Sequence, residues 1–223
     1  MEKVIVISAH PDDEVLGCGG TLLKHKHEGD EIHWIIITGV FEKQGYTKEI
    51  IQNRQQEIEK INNLIGVSSI HQLNYPTMSL NSASLNKLIP QISTIFKKIN
   101  PEVIYVMNRS DAHSDHRVAF EAIMVCTKSF RYPSIKKILM YECISETEFA
   151  AALPENAFLP NYFVDISPYM EQKITMMKVY GSEIDEHPFP RSVKNIEALA
   201  IHRGAQSGVE YAESFMIIKE IWK

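Results

Sequence analysis

Val4-Ile5-Val6-Ile7 is a run of four β-branched residues, and it stops abruptly at Ser8-Ala9-His10-Pro11-Asp12-Asp13-Glu14. A short continuous apolar run of this kind reads as a strand buried on both faces, the sort found inside a parallel sheet. Pro11 cannot continue a ladder and holds the residue before it extended, so His10 sits at a sharp strand exit. In open α/β sheets ligands gather beyond the carboxyl ends of strands, where these polar groups fall. Three carboxylates so close together repel one another unless a positive charge offsets them. Acids also suit the first turn of a helix, where they complement its dipole. The alternative is a divalent metal, since histidine with carboxylate is a zinc-type donor set. His10 and Asp13 can converge on one ion if the chain turns helically there, leaving Asp12 beside it to take a proton from water.

A second cluster decides between these readings. Val103-Ile104-Tyr105-Val106 is another short apolar run, followed by Asp111-Ala112-His113-Ser114-Asp115-His116-Arg117 and then a helical stretch. Two histidines three apart, with an aspartate between them, form a ligand and its orienting partner. Either cluster alone is weak; two at the ends of buried strands point to a metal site. The residues alone leave open which of His113 and His116 is the ligand.

The pair Ala9-His10-Pro11-Asp12-Asp13-Glu14 and His113-Ser114-Asp115-His116 resembles the signature of the LmbE/PIG-L family of zinc-dependent N-deacetylases. The resemblance extends to Leu16–Thr21, Arg54–Glu57 and Arg203–Phe215, so it spans nearly the whole chain. It implies a Rossmann-like three-layer α/β sandwich with a mostly parallel central sheet. It also implies zinc held by His10, Asp13 and His116, with another divalent metal such as Fe2+ as the alternative. Asp12 is then the general base, and His113 assists the oxyanion or the leaving amine with Asp115 as its orienting partner. Arg54, His202 and Arg203 match positions that lie near the family's substrate. Asn108-Arg109 depart from the family's pattern, which bears on the pocket wall rather than on the metal.

Length and composition set the outer bounds. A chain of 223 residues suits one α/β domain, here residues 1–223. A formal charge of −5, with no basic stripe, argues against nucleic acid as a partner. Cys18, Cys126 and Cys143 form no Cys-x-x-Cys pair and read as reduced, packed thiols of a cytoplasmic protein. No run is long enough to span a membrane and no signal peptide is recognisable, so no membrane partner is expected. Relatives of this type are often multimeric, which makes a homo-oligomer the expectation.

Strands and helices alternate along the first two thirds. Helices are expected at Val15–Glu28, stopping at Gly29, and at Thr47–Ile65, stopping at Gly66. A third is expected at Ser84–Ile99, kinked at Pro90, and a fourth within Ser110–Ser129. Strands are expected at Glu31–Thr38, Ile70–Leu73, Val103–Met107 and Lys137–Glu142, giving a parallel, doubly wound sheet. After Ser145 the residues Pro154, Pro160, Pro188 and Pro190 break the pattern, leaving a strand near Phe163–Ile166 and helices at Pro168–Tyr180 and Val193–Ile201. Gly17, Gly19 and Gly20 lack the spacing of a dinucleotide turn, because residue 22 is leucine, and read as close-packing positions. Residues 39–49 form a glycine-punctuated loop at the metal end of the sheet, placed to cover a substrate. His25 and His27 are read as exposed. Arg54 has one acidic neighbour on its own helix, Glu57, as a competing ion-pair partner.

The expected activity is hydrolysis of the acetyl amide of an N-acetylglucosamine-type conjugate by metal-activated water. Alternatives are a nucleotide-linked acetamido sugar as substrate, or a metal-stabilised sugar-binding module without turnover.

Overall fold

In the computed structural model, which describes residues 1–222, seven strands form one sheet in the order β3-β2-β1-β4-β5-β7-β6. They are β1 (Lys3–Ser8), β2 (Glu31–Gly39), β3 (Ser69–Pro76), β4 (Val103–Met107), β5 (Lys137–Tyr141), β6 (Tyr162–Asp165) and β7 (Ala212–Glu220). The first five in spatial order run parallel, and β7 is inserted antiparallel between β5 and β6. Six helices cover the sheet: α1 (Asp13–Glu28), α2 (Lys48–Ile65), α3 (Leu85–Ile99), α4 (Ser114–Val125), α5 (Met170–Val179) and α6 (Val193–Ser207). α1, α2, α5 and α6 pack into one layer, and α3 pairs with α4. Among the described residues no helix is long and apolar enough to cross a membrane.

The expected three-layer α/β architecture is therefore the observed one. Gly29 and Gly66 both adopt left-handed dihedrals at the ends of α1 and α2, where a side chain would be strained. β1 is fully buried from Val4 to Ser8, as an apolar run in a sheet covered on both faces must be. α3 runs continuously through Pro90 rather than ending there.

Two differences from expectation have clear causes. β7 is absent from the sequence reading, because it interrupts its apolar residues with Glu213 and Ser214, which are buried only where Lys173, the α1 amides and Glu142 satisfy them. His25 is not on an open surface: its ring lies 2.7 Å from Asp30 Oδ2 and 2.8 Å from the Tyr105 hydroxyl, tying α1 to β4.

Spatial order and chain order part company between β1 and β4. The chain winds outward in one direction through β2 and β3, then returns to build the other half from β4. At such a switch point the loops leaving the two strands diverge and open a crevice at their carboxyl ends. β1 and β4 are hydrogen-bonded neighbours, with Val4 opposite Val103 and Val6 opposite Tyr105. The two polar clusters, about a hundred residues apart in sequence, thus leave the sheet side by side.

α1 is interrupted at Cys18, whose φ of −147° is not helical. The carbonyl of Leu16 accepts from the buried Lys173 Nζ at 2.9 Å, and Glu213 accepts from the Gly20 and Thr21 amides at 2.9 and 2.7 Å. Lys173 and Glu213 are themselves paired at 2.6 Å, so one buried ion pair satisfies the backbone groups freed by the break. The glycines allow this close approach. A Cβ on Gly17 would lie 2.1 Å from the Tyr141 ring, which is fully buried and hydrogen-bonded to the Ile7 carbonyl. Gly17→Ala is expected to cost about 3 kcal/mol by overpacking, read as a lowered urea midpoint with an unchanged m-value. A midpoint within error of the wild type would show that Tyr141 can move aside.

Candidate active site

The first cluster is shaped by a backbone that few residues tolerate. Asp12 precedes α1 with φ 132°, a conformation that a non-glycine residue holds only under local strain. Its carboxylate makes no capping bond to the helix and instead lines a cavity of about 460 Å3. The turn carries Asp13 back toward His10, whose amide donates to Asp13 Oδ2 at 2.8 Å. Glu14, fully buried, accepts from the Tyr180 hydroxyl at 2.7 Å and from the Asp12 amide at 3.1 Å. Burial raises its pKa to about 8, so it is a neutral carboxylic acid near pH 7.

His116 enters from the first turn of α4 and is completely buried. Its Nδ1 lies 2.8 Å from Asp111 Oδ2, while its Nε2 lies 3.3 Å from Asp13 Oδ1 and 3.3 Å from His10 Nδ1. The other nitrogen of His10, Nε2, lies 3.2 Å from Asp115 Oδ2. Two carboxylates thus hold the outward nitrogens as N–H donors. The inward nitrogens are left as lone pairs facing each other beside a carboxylate oxygen.

That is a repulsive arrangement unless a cation or a proton sits within it. Ligand atoms at about 2.0–2.1 Å from one tetrahedral ion lie about 3.4 Å apart, close to the spacing seen here. His10, Asp13 and His116 therefore fit a divalent metal. The protonation tendencies agree. Burial lowers the pKa of His116, but Asp13 and Asp111 outweigh it and the pKa is well above the ordinary value, so without metal a proton takes the place. Burial likewise pushes Asp13 upward, yet the His116 and His10 rings hold it well below the usual carboxylate range.

His113 lies at the rim of the same cavity, its ring centroid 4.4 Å from that of His10. Its partner differs from expectation. The Asp115 carboxylate is 4.0 Å from His113 Nδ1 and does not orient it; that carboxylate accepts from the Met78 and Leu80 amides and faces His10. What holds His113 is the Asp115 backbone amide, donating into Nδ1 at 3.1 Å. Nδ1 must then keep its lone pair, and the proton resides on Nε2. Burial, with His10 and His116 adjacent, lowers the pKa of His113 to about 4, so the ring is neutral at pH 7. As a neutral ring it offers its Nε2–H to the cavity as a hydrogen-bond donor.

Burial, then Asp13 and Glu183, raise the Asp12 pKa well above the usual range, with Arg191 acting in opposition. Arg54 reaches the cavity from α2, donates to the Pro11 carbonyl at 3.1 Å and pairs with both Glu57, at 3.3 Å, and Glu183. His202 and Arg203 do not reach it. His202 borders a separate, mostly apolar cavity of about 790 Å3, and Arg203 is held by Glu142 through bonds of 2.8 and 2.7 Å. The segment 143–148 lies between the two cavities and lines both. In the 39–49 loop, Gly39, Val40 and Tyr46 line the cavity that holds Asp12 and His113.

Several site residues escaped the sequence reading. Asp111 orients His116 and is anchored by Asn108 Nδ2 at 2.9 Å and the Thr147 hydroxyl at 2.7 Å. It opens the second cluster named from the sequence, and only its role there was unassigned. The Cys143 thiol lies 3.5 Å from Asp13 Oδ1, and Glu146, Glu183 and Arg191 complete the wall with no local pattern to mark them. All three cysteines are free and buried.

The family model described as "PIG-L: GlcNAc-PI de-N-acetylase" matches residues 5–127, a stretch that contains both polar clusters. The diacetylchitobiose deacetylase of Thermococcus kodakarensis is 24% identical over 229 residues, covering 100% of this chain and 85% of the relative. The probable N-acetyl-alpha-D-glucosaminyl L-malate deacetylase 2 of Bacillus cereus is 21% identical over 194 residues, covering 83% and 86%. Among solved structures, the N,N'-diacetylchitobiose deacetylase of Pyrococcus horikoshii, in complex with an inhibitor, superposes with a TM-score of 0.77 at 26% identity, covering 98% of this chain and 84% of that one. Sequence match, shared fold and convergent donor atoms agree: the chain belongs to the PIG-L family of de-N-acetylases.

Proposed function

We propose that this protein removes the acetyl group from an N-acetylglucosamine-type sugar, using zinc held by His10, Asp13 and His116. The observation that carries this reading is the pair of inward imidazole nitrogens 3.3 Å apart, each fixed as a lone pair by a carboxylate on its other side. When bound, the metal supplies Lewis acidity, polarising the acetyl carbonyl and making a water more acidic. Asp12 accepts the proton of the attacking water as its oxygen adds to the acetyl carbon; a carboxylate with a raised pKa is suited to that near neutrality. His113 Nε2–H donates to the oxyanion of the tetrahedral intermediate without changing its charge. The C–N bond then breaks, Asp12 returns its proton to the departing amine, and acetate and the free amino sugar result. Asp111 and Asp115 hold the two metal-side rings in the required tautomer. Both curated relatives act, by their names, on N-acetylglucosamine-containing compounds, which supports the substrate class.

Acetate release is expected from a panel of N-acetylglucosamine derivatives, with loss on chelation and recovery on adding zinc. A chain that releases no acetate from any of them, with one equivalent of zinc bound, would contradict the assignment.

A further inference from the structure

The cavity is built around a charge arrangement that the deacetylation chemistry does not use. Two cationic side chains other than histidine line it among the described residues, Arg54 and Arg191, and both are committed to the same carboxylate. Arg54 Nη2 pairs with Glu183 Oε1, and Arg191 Nη2 lies 3.1 Å from Glu183 Oε2. Arg191 Nε also donates to the Glu183 carbonyl at 2.7 Å, and its Nη1 donates to the Ser145 hydroxyl at 2.9 Å. Arg54 has a second acid, Glu57, at 3.3 Å, and its guanidinium lies over the Tyr180 ring at 5.5 Å. Two guanidinium charges are thereby cancelled by two carboxylates. The remaining charged groups on the wall, Asp12, Asp13 and Glu146, are acids.

Resting on the deacetylase reading, we propose that Glu183 is a specificity-determining residue that selects an uncharged sugar substrate over one carrying a carboxylate or phosphate next to the sugar. A neutral sugar gains hydroxyl hydrogen bonds from the fixed carboxylate and the outer guanidinium N–H groups, with no charge left to desolvate unpaired. An anionic substituent next to the sugar finds no uncommitted arginine and must either displace Glu183 or face Asp12 and Glu146. The groups are about a quarter exposed or less, at 16%, 20% and 25% for Arg54, Arg191 and Glu183, so solvent only partly screens this discrimination.

The test compares kcat/KM for the methyl glycoside, the malyl glycoside and the anomeric phosphate of N-acetylglucosamine, in the zinc-loaded wild type and in Glu183→Gln. The wild type is expected to favour the methyl glycoside by about tenfold or more, the size of one partly screened charge interaction. Glu183→Gln is expected to raise the ratio of anionic to neutral kcat/KM by about tenfold, through KM, with the gain lost at high salt. Glu57→Gln, which removes only the second of the two acids on Arg54, should shift the ratio the same way by less. A wild type that prefers either anionic substrate overturns the proposal, and this comparison needs no variant to fold. An unchanged ratio in a folded Glu183→Gln protein overturns it too. In both cases acetate is still released, so the deacetylase reading survives; release from none of the three would bring down both.

Discussion

Asp12→Asn is expected to retain a full equivalent of zinc while kcat falls by about 10³-fold, within the usual range for loss of a positioned general base. The amide is nearly isosteric with the carboxylate but cannot accept the proton of the attacking water. Asparagine is also among the residues that best tolerate positive φ, so the turn at 132° and the placement of Asp13 should survive. The pH profile gives a second readout. Burial and Asp13 place the Asp12 pKa above the ordinary carboxylate range, so wild-type kcat should rise with pH through that elevated value. In the variant this acid limb should vanish. Turnover near the wild-type rate, with metal content confirmed by elemental analysis, would remove Asp12 from the proton-transfer step.

His116→Ala should instead empty the site. Its Nε2 is one of three converging donor atoms, and its Nδ1 neutralises the fully buried Asp111. Truncation therefore removes a ligand and also strands a buried carboxylate, at about 3 kcal/mol of stability. The expected protein binds no stoichiometric zinc, shows no acetate release above background, and melts lower. Asp111→Asn separates the two effects: it keeps the ring and should weaken metal affinity by about 10- to 100-fold.

The direction of the pH dependence follows from His116. Its pKa is raised in the folded, metal-free protein, so the stability it contributes is fully present below the unfolded value near 6.5 and lost as pH rises through the folded value. Zinc needs the deprotonated nitrogen, so zinc affinity should fall as pH is lowered, by about tenfold per unit for one displaced proton. Full zinc retention in His116→Ala, or affinity independent of pH, would contradict the donor set.

Features written in short stretches of chain were legible without coordinates. The strand exit at His10-Pro11, the acids that follow it, the second histidine cluster and the glycine stops of α1 and α2 depend on neighbours within a turn or two. Their conformational preferences act locally, and the family resemblance assigned roles to six of the resulting side chains, His10, Asp12, Asp13, His113, Asp115 and His116. The assignments that moved are those decided by contact between distant residues. Asp115 lies two residues from His113, yet its carboxylate serves His10, 105 positions away. Arg54 shares Glu183 with Arg191 across 129 residues, and Lys173 meets Glu213 beneath the break in α1. His202 and Arg203 match the family segment but sit behind a wall that no local pattern encodes.

The amino-acid sequence alone determined the chemistry on offer: which groups stand at two strand ends, and that they need a cation. Only the tertiary structure decided which nitrogen of each ring faces inward, which carboxylate holds it there, and which charges in the cavity are already cancelled. The physical reason is that tautomer and ion pairing are set by the partner a few ångströms away in space. In a doubly wound sheet that partner is brought in by the strand crossing at β1 and β4, not by the chain's own next turn.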